Sequence, residues 1–119
     1  PESIVITNLA GDIEYVNDSF VRIAGYARES LIGRNMGLLQ SGKTPPEVYA
    51  QMWQTLKQGR TWHGRFTNRR EDGSEYVESA IITPLREPSG RVTHYVAVKE
   101  IIRGKRRMRR LPKTTEEAV

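Results

Sequence analysis

The sequence contains no cysteine. Disulfide bonds, thiolate nucleophiles and cysteine-ligated zinc sites are therefore excluded as sources of stability or chemistry. The chain also has no apolar run long enough to span a bilayer, and no signal peptide is recognisable. From these absences we expect a cytoplasmic location and no membrane span.

Signs of catalysis are equally scarce. There is no glycine-rich phosphate loop, no nucleophile elbow and no close set of His, Asp and Glu residues with metal-ligand spacing. The only two histidines, His63 and His94, fall within predicted strands. We therefore expect neither an enzyme nor a metal site.

The net charge of +5 is unevenly distributed. Residues 1–102 hold twelve basic and twelve acidic residues, so the whole excess lies in residues 103–119. A DNA-binding domain usually carries its basic residues on the folded body, so we expect no nucleic-acid contact from residues 1–102. We interpret residues 103–119, with the run RGKRRMRR, as a solvated tail or the start of a connecting signalling helix. Contact with nucleic acid or an anionic membrane is the alternative.

A length of 119 residues suits one domain, which we place over residues 1–102. Two short β-branched runs, residues 3–8 and 13–16, flank a polar turn and predict a hairpin. The segment NDSFVRIAG (residues 17–25) predicts a short helix with an amide or carboxylate cap at its start and a glycine at its end. The segment RESLIG (residues 28–33) predicts one further helical turn.

The longest predicted helix covers residues 45–58. Thr44 and Glu47 have the spacing of a capping box, and two prolines lie between them where missing amide hydrogens cost nothing. Five apolar residues then recur at helical spacing, namely Val48, Tyr49, Met52, Trp53 and Leu56. Gly59 is expected to end the helix.

Three longer strands follow, predicted over residues 61–70, 75–85 and 91–102. We centre the first connecting turn on Gly73 and place the second at Pro88-Ser89. With these turns Asn68 lies directly opposite Glu78, which in turn lies directly opposite Lys99.

Directly opposed residues share a face of a sheet, so an amide, an acid and an amine are predicted to form one polar row. The same face carries aromatic and small residues: Trp62, Gly64, Phe66, Tyr76, Ala80, Ile82, Tyr95 and Ala97. Such a face is typical of a pocket floor. The alternative is a purely structural Glu78–Lys99 pair beside an exposed Asn68. The opposite face is also apolar at its centre, and we expect a second copy of the chain to cover it.

The chain resembles the PAS family. The resemblance is carried by GDIEYVNDSF, IAGYARESLIGRN, NRREDGSEY and ITPLREPSGRVTHYVAVKEI, in this order, and covers about residues 1–103. It implies an α+β fold: a five-stranded antiparallel sheet with short helices and one longer helix packed on one face.

Two flavin-binding groups of the family are most similar. Light-sensing LOV domains have G-R-N-C-R-F-L-Q where this chain has GRNMGLLQ, so Met36 stands at the position of their flavin-reactive cysteine. A thioether forms no thiolate, and the cysteine-adduct photocycle is therefore not expected.

Redox-sensing PAS domains of nitrogen-fixation and methane-oxidation regulators are similar across residues 44–73. The resemblance implies non-covalent FAD, in preference to FMN, and no haem, because the long helix contains no histidine. By this resemblance Trp62 packs near the flavin edge, Asn68 binds its polar rim, and Asn35 and Gln40 lie at the mouth. The cofactor-binding residues predicted in full are Asn35, Gln40, Trp62, Phe66, Asn68, Glu78 and Lys99.

Two functions remain open at this point. In the first, the chain is a sensor that binds FAD or a related flavin and relays redox or ligand state to a covalently linked output domain, such as a kinase, a cyclase or another regulator. In the second, it is a ligand-free PAS module that mediates dimerisation or protein docking, with Glu78 and Lys99 paired for structural reasons. Lys99 and Glu78 stand where flavin-binding relatives frequently have amides. If their ion pair fills the site, the pocket holds no ligand, and the second function is favoured.

Overall fold

Five antiparallel strands form one sheet in the computed structural model, which describes residues 2–103. They are β1 (Ser3–Thr7), β2 (Ile13–Val16), β3 (Trp62–Arg69), β4 (Glu75–Arg86) and β5 (Val92–Ile101). Their order across the sheet is β2-β1-β5-β4-β3, so the first strand of the chain pairs with the last. The predicted α+β architecture is confirmed. The predicted tail or connecting helix lies, apart from Arg103, outside the described residues.

Within residues 2–103, the helical segments lie between β2 and β3 in the chain. They are α1 (Asp18–Ala24), α2 (Arg28–Leu31), a 3-10 helix (Met36–Leu39) and α3 (Pro46–Lys57). The first, second and last were predicted from capping residues and periodicity, whereas the 3-10 helix was not predicted. Its short run, MGLL, is held by the Asn35 side chain, which accepts a hydrogen bond from the Gly37 amide at 2.9 Å.

The bounds of α1 follow its two capping residues, as predicted. The Asn17 side-chain oxygen accepts a hydrogen bond from the Phe20 amide, and Gly25 takes the left-handed conformation with φ of 80° at the other end. The same Asn17 oxygen also accepts from the Ile4 amide at 3.0 Å. The cap therefore also fixes α1 to strand β1.

The start of α3 differs from the prediction. Pro45 is the N-cap residue and no side chain caps the helix, so the predicted capping box between Thr44 and Glu47 is wrong. The Thr44 hydroxyl instead accepts a hydrogen bond from the Thr67 amide at 2.8 Å and donates to the Thr67 carbonyl at 3.3 Å. Strand β3 lies at the edge of the sheet, where backbone groups need partners, and Thr44 supplies one.

The register of both long hairpins differs from the prediction by two residues. Asn68 lies opposite Tyr76, and Glu78 lies opposite Phe66 on β3. On the other side Glu78 lies opposite Ile101, not opposite Lys99. The predicted straight polar row is therefore wrong. A shift of two residues preserves the face, however, because side chains alternate with a period of two.

The cause of this error is the position of glycine in the loops. In the first hairpin Gly73, with φ of 92°, ends a three-residue loop, and its amide donates to the Arg70 carbonyl at 3.0 Å. Gly90, with φ of 96°, ends the second loop in the same way, its amide donating to the Glu87 carbonyl at 2.8 Å. Loops of this kind place glycine after the turn, not at its centre. A further one-residue shift between Leu85 and Arg86 completes the difference in the second hairpin.

The helices cover one face of the sheet, which we call the inner face. As predicted, it carries the buried residues of the three long strands: Trp62, Phe66, Tyr76, Ala80, Ile82, Tyr95 and Ala97. On the outer face, Ile81 remains 45% exposed and Val77 remains 37% exposed. Burial thus separates the two faces in the way that the alternating pattern predicts.

Candidate functional site

A cavity of about 150 Å³ lies between α3 and the inner face of the sheet. Its walls are mainly apolar side chains from both layers: Val5, Tyr49, Met52, Trp53, Leu56, Phe66, Ile82, Tyr95 and Ala97. Asn35, Gly37 and Gln40, at and beside the 3-10 helix, line one end and are partly or fully exposed. This end is the mouth of the cavity.

Two pairs of aromatic rings connect α3 to the sheet at the cavity. The rings of Tyr49 on α3 and Phe66 on β3 are stacked with centroids 5.6 Å apart. Trp53 on α3 meets Tyr95 on β5 edge to face, with centroids 5.9 Å apart. Both pairs join the helix to the sheet across the cavity, so the distance between the two layers is set by ring packing.

The polar end of the cavity is built by three strands. Lys99 Nζ lies 3.0 Å from Glu78 Oε2, and Asn68 Nδ2 donates to the same oxygen at 2.8 Å. Diagonal neighbours on a sheet are close enough for long side chains to meet, so the three residues interact although none of them is directly opposite another. The predicted cluster therefore forms, but in a register that sequence reasoning did not identify.

All three members of this cluster are buried. Lys99 is 3% exposed, Glu78 2% and Asn68 4%. The Lys99 ammonium lies 5.4 Å from the Phe66 ring centre and 5.8 Å from that of Phe20. Contacts with ring faces and a close carboxylate offset part of the desolvation of this cation. Lys99 and Asn68 line the cavity, whereas Glu78 lies behind them and does not.

Tyr76 extends the buried polar cluster along β4. Burial, and secondly the nearby Glu78 carboxylate, raises the pKa of its phenol well above the usual value. The Arg70 guanidinium lies over the ring, 4.6 Å from its centre, and partly opposes this shift. The hydroxyl therefore remains protonated at neutral pH.

Trp62 lies beside the cavity and not in its wall. It is 3% exposed, its ring is 5.3 Å from that of Phe66, and its indole N–H has no hydrogen-bond partner. A side chain at Gly64 would place its Cβ 2.2 Å from the Trp62 ring. Glycine at this position therefore provides the space that the indole occupies, and the indole N–H is a buried donor.

The two amides predicted at the mouth have different surroundings. The Asn35 side chain donates to the Ala10 carbonyl and to Asp12 Oδ1, both at 3.0 Å, while its oxygen accepts from the Gly37 amide. Its hydrogen-bonding groups therefore hold the β1–β2 turn against the 3-10 helix. Gln40 is exposed, its backbone pairs with that of Asn68, and its side-chain amide bonds to no other residue of the described chain.

Five of the seven predicted site residues thus line the cavity, namely Asn35, Gln40, Phe66, Asn68 and Lys99. Trp62 and Glu78 are packed behind the wall. Sequence reasoning missed Thr7, Gly11 and Leu56, which also line it. The helical spacing of Leu56 predicted a core residue. No pattern in the sequence, however, indicates that a cavity separates α3 from the sheet. Met36, at the position equivalent to the LOV cysteine, also lines the cavity.

Other kinds of site find no support in residues 2–103. No group of three or more His, Asp or Glu residues in that range could hold a metal ion. His63 lies opposite Ile81, and His94 Nε2 lies 2.9 Å from Glu14 Oε1, so both histidines are away from the cavity. No helix in the described part of the chain is long and apolar enough to cross a membrane.

Known proteins are similar in sequence to this chain over most of its length. A family profile described as "PAS domain" matches residues 1–101. A nitrogen fixation regulatory protein of Klebsiella oxytoca is 40% identical over 100 residues, which cover 84% of this chain and 20% of that protein. The aerotaxis receptor of Escherichia coli is 34% identical over 94 residues, 78% of this chain and 18% of the receptor. The chain thus spans about a fifth of the length of these relatives.

Solved structures agree with the fold. A light-oxygen-voltage domain studied with a flavin analogue has a TM-score of 0.82 and 27% identity, covering 98% of this chain and 88% of that one. The LOV domain of a blue-light activated histidine kinase from Erythrobacter litoralis has a TM-score of 0.78 and 26% identity, covering 86% and 96%. With a family profile matched over residues 1–101 and the same sheet and helices in these structures, the chain belongs to the PAS domain family.

Proposed function

We propose that the chain is a cytoplasmic sensory module of a larger signal-transduction protein, a sensor kinase or a similar regulator. In this proposal it binds FAD or a related flavin without a covalent bond and relays redox or ligand state to an output domain. The observation that carries the proposal is the apolar cavity closed at one end by Lys99 and Asn68, within a PAS fold. The names of the relatives, a nitrogen fixation regulator, an aerotaxis receptor and a blue-light activated kinase, support a sensory role.

The side chains that line the cavity are suited to bind a flavin ring, but the cavity volume is smaller than such a ring needs. Apolar and aromatic walls suit a planar ring, and Lys99 and Asn68 supply donors for its oxygen and nitrogen atoms. The cavity of about 150 Å³ is smaller than the roughly 300–1,000 Å³ of typical ligand pockets. Flavin binding therefore requires movement of side chains, and Met52 and Tyr49 of α3 border the space. A bound flavin would supply reversible two-electron chemistry there.

Met36 restricts the chemistry available at this site. Its thioether lines the cavity at the position equivalent to the flavin-reactive cysteine of LOV domains, and it has no acidic proton. A signal in this protein therefore comes from the charge or occupancy of the ligand, not from a bond to sulfur.

The route from site to output runs along the central strands. Lys99 on β5 lies opposite Ser3 on β1, and Glu78 on β4 lies opposite Ile101, the last residue of β5. The Ile102 amide then donates to the Val77 carbonyl at 2.8 Å. A change in the bonds of the polar cluster therefore acts on the strand that leads directly into residues 103–119.

The test is flavin uptake by the purified protein. We expect a yellow protein, or uptake of added FAD measured by quenching of its fluorescence. The variant carrying Trp62→Ala and Asn68→Ala should lose at least about tenfold in affinity, because it removes the ring that packs behind Phe66 in the cavity wall and a polar contact. Gln54→Ala, an exposed amide on α3, is the matched control and should bind as the original chain does.

Circular dichroism and thermal unfolding must show that the double variant is folded before its affinity is interpreted. Unchanged flavin affinity in a folded double variant contradicts this placement of the site. A colourless protein that takes up no FAD favours the second candidate function.

That second candidate is a ligand-free module for dimerisation or protein docking. Its support is that the Glu78–Lys99 pair and the Asn35 side chain are already satisfied within the chain. In either case we propose that a second copy of the chain covers the apolar centre of the outer face, where Ile81 and Val77 are exposed.

A further inference from the structure

The charge of the cavity wall has one sign. Among the described residues that line the cavity, Lys99 is the only one with a formal charge. The carboxylate that balances it, Glu78, lies behind the wall, and both side chains are 3% exposed. A ligand in the cavity therefore meets the cation first and the anion only beyond it.

Neighbouring groups hold this arrangement in place. Asn68 Nδ2 and Lys99 Nζ both bond to Glu78 Oε2, at 2.8 and 3.0 Å, so the carboxylate is held behind the two donors that line the cavity. The rings of Phe20 and Phe66 flank the ammonium. Because the surrounding walls are apolar and the ammonium is buried, the Lys99 cation acts strongly on a molecule bound in the cavity.

We infer that Lys99 determines the specificity of the cavity, making it prefer ligands that carry negative charge or acquire it on reduction. For the flavin this inference rests on the proposed function. Two electrons and one proton added to an oxidised flavin leave one net negative charge, and a second proton would remove it. Lys99 favours the singly protonated, anionic product. The reduced flavin is therefore bound more tightly than the oxidised flavin, which raises the midpoint potential.

The test removes both charges and preserves the shape of the pair. The variant with Glu78→Gln and Lys99→Gln keeps hydrogen-bonding side chains at both positions, and no buried charge is left alone. Its matched control carries Glu75→Gln and Lys43→Gln, an exposed ion pair of 3.1 Å that undergoes the same change in charge away from the cavity. If the first variant does not fold, Glu78→Leu with Lys99→Met replaces it as an apolar pair of similar volume.

The first measurement is the midpoint potential of the flavin-loaded protein in an anaerobic titration with dithionite, which supplies the electrons. If the cavity variant loses about tenfold in its preference for the reduced flavin, its potential falls by about 30 mV relative to the original chain. The control variant should keep the original potential. A flavin-loaded cavity variant whose potential also stays unchanged overturns the inference.

The second measurement does not depend on flavin. A cavity of about 150 Å³ is large enough for a benzene-sized molecule, so benzoate and benzamide provide probes of similar shape that differ in charge. Titration followed by NMR should show benzoate bound about tenfold more tightly, with the preference lost only in the cavity variant. If flavin does not bind but this preference is found, the proposed function fails and the inference stands. If neither probe distinguishes the variants, the inference is overturned.

Discussion

At the scale of single residues, Glu78 and Lys99 are the two charged side chains that are buried within residues 2–103, and their desolvation costs free energy. Both are charged, and the polar atoms that meet them are few: each other and Asn68. Desolvation cancels much of the attraction within such a pair, so it adds little to stability, but its separation leaves an unpaired charge in an apolar site. An apolar pair of similar volume would fold as well without this desolvation cost. The charged pair is therefore better explained by a role in ligand binding than by stability.

We predict that Glu78→Ala lowers the free energy of unfolding by about 3–5 kcal/mol, because it leaves the Lys99 ammonium buried without a carboxylate. The control is Glu75→Ala, which removes one partner of the exposed pair with Lys43 and should cost about 0–1 kcal/mol. Urea unfolding followed by circular dichroism measures both. Equal losses in the two variants would contradict the description of a buried, coupled pair.

Tyr76 predicts a dependence of stability on alkaline pH. Its pKa is raised in the folded chain by burial and by Glu78, while the unfolded chain has the ordinary value of about 10. Above that value the unfolded state loses a proton that the folded state keeps. Its contribution to stability is therefore complete below about pH 10 and decreases as the pH rises further.

The measurement is urea unfolding at several values between about pH 8 and pH 11, in the original chain and in Tyr76→Phe. The difference in stability between the two should shrink above about pH 10, because phenylalanine does not ionise. A constant difference across the range would show that the Tyr76 phenol titrates normally in the folded chain.

At the scale of elements, sequence patterns determined where most helices and strands lie, and the exceptions have local causes. Asn17 caps the start of α1, and Gly25 and Gly59 follow the last turns of α1 and α3 in the left-handed conformation that glycine favours. Thr44 has equally good capping chemistry, but the edge of β3 offered its hydroxyl two backbone groups at once. The competition between cap and strand edge is tertiary, so no pattern within residues 44–47 reveals its outcome.

The double role of Asn17 gives a prediction at this scale. Asn17→Ala removes the cap of α1 and the acceptor for the Ile4 amide, so it should cost about 1–3 kcal/mol. Asp18→Ala, which breaks the neighbouring exposed ion pair with Arg28, should leave the free energy of unfolding nearly unchanged, because water screens an exposed pair.

Hydrogen exchange distinguishes the two roles of Asn17. Faster exchange is expected at both Phe20 and Ile4 in Asn17→Ala, and at neither in Asp18→Ala. Faster exchange at Phe20 alone would limit Asn17 to the helix cap.

At the scale of the whole molecule, the sheet has one covered face and one open face. The open face carries Ile81, Val77 and Tyr15, which are 45%, 37% and 49% exposed. Val98 on β5 lies directly opposite Ile81 on β4, so the apolar surface continues onto the neighbouring strand. We propose that a second copy of the chain covers this surface.

We expect Ile81→Lys to weaken self-association, because it places a charge at the centre of the proposed contact. Sedimentation velocity across a range of concentrations measures the effect. Leu9→Lys is the control, since Leu9 is similarly exposed, at 48%, and lies in the turn between β1 and β2, outside the strands. A protein that remains monomeric at every concentration, or equal effects of the two substitutions, would contradict dimerisation through this face.

Local chemistry in the sequence determined a great deal of this protein. Alternating residues assigned Asn68, Glu78 and Lys99 to one face, and glycine and asparagine set the ends of α1, because these effects act within a few residues. The family resemblance, which a profile match over residues 1–101 supports, predicted the architecture.

Only the tertiary structure decided which groups meet. The position of Gly73 at the end of its loop moved the first register by two residues, and the position of Gly90 together with the irregularity between Leu85 and Arg86 did the same in the second hairpin. The polar cluster therefore forms on diagonals. Packing of α3 against the sheet through Tyr49 and Trp53 left the cavity open, and it placed Lys99 on the wall and Glu78 behind it. These outcomes depend on contacts between residues far apart in the chain, and a pattern within one segment carries no information about them.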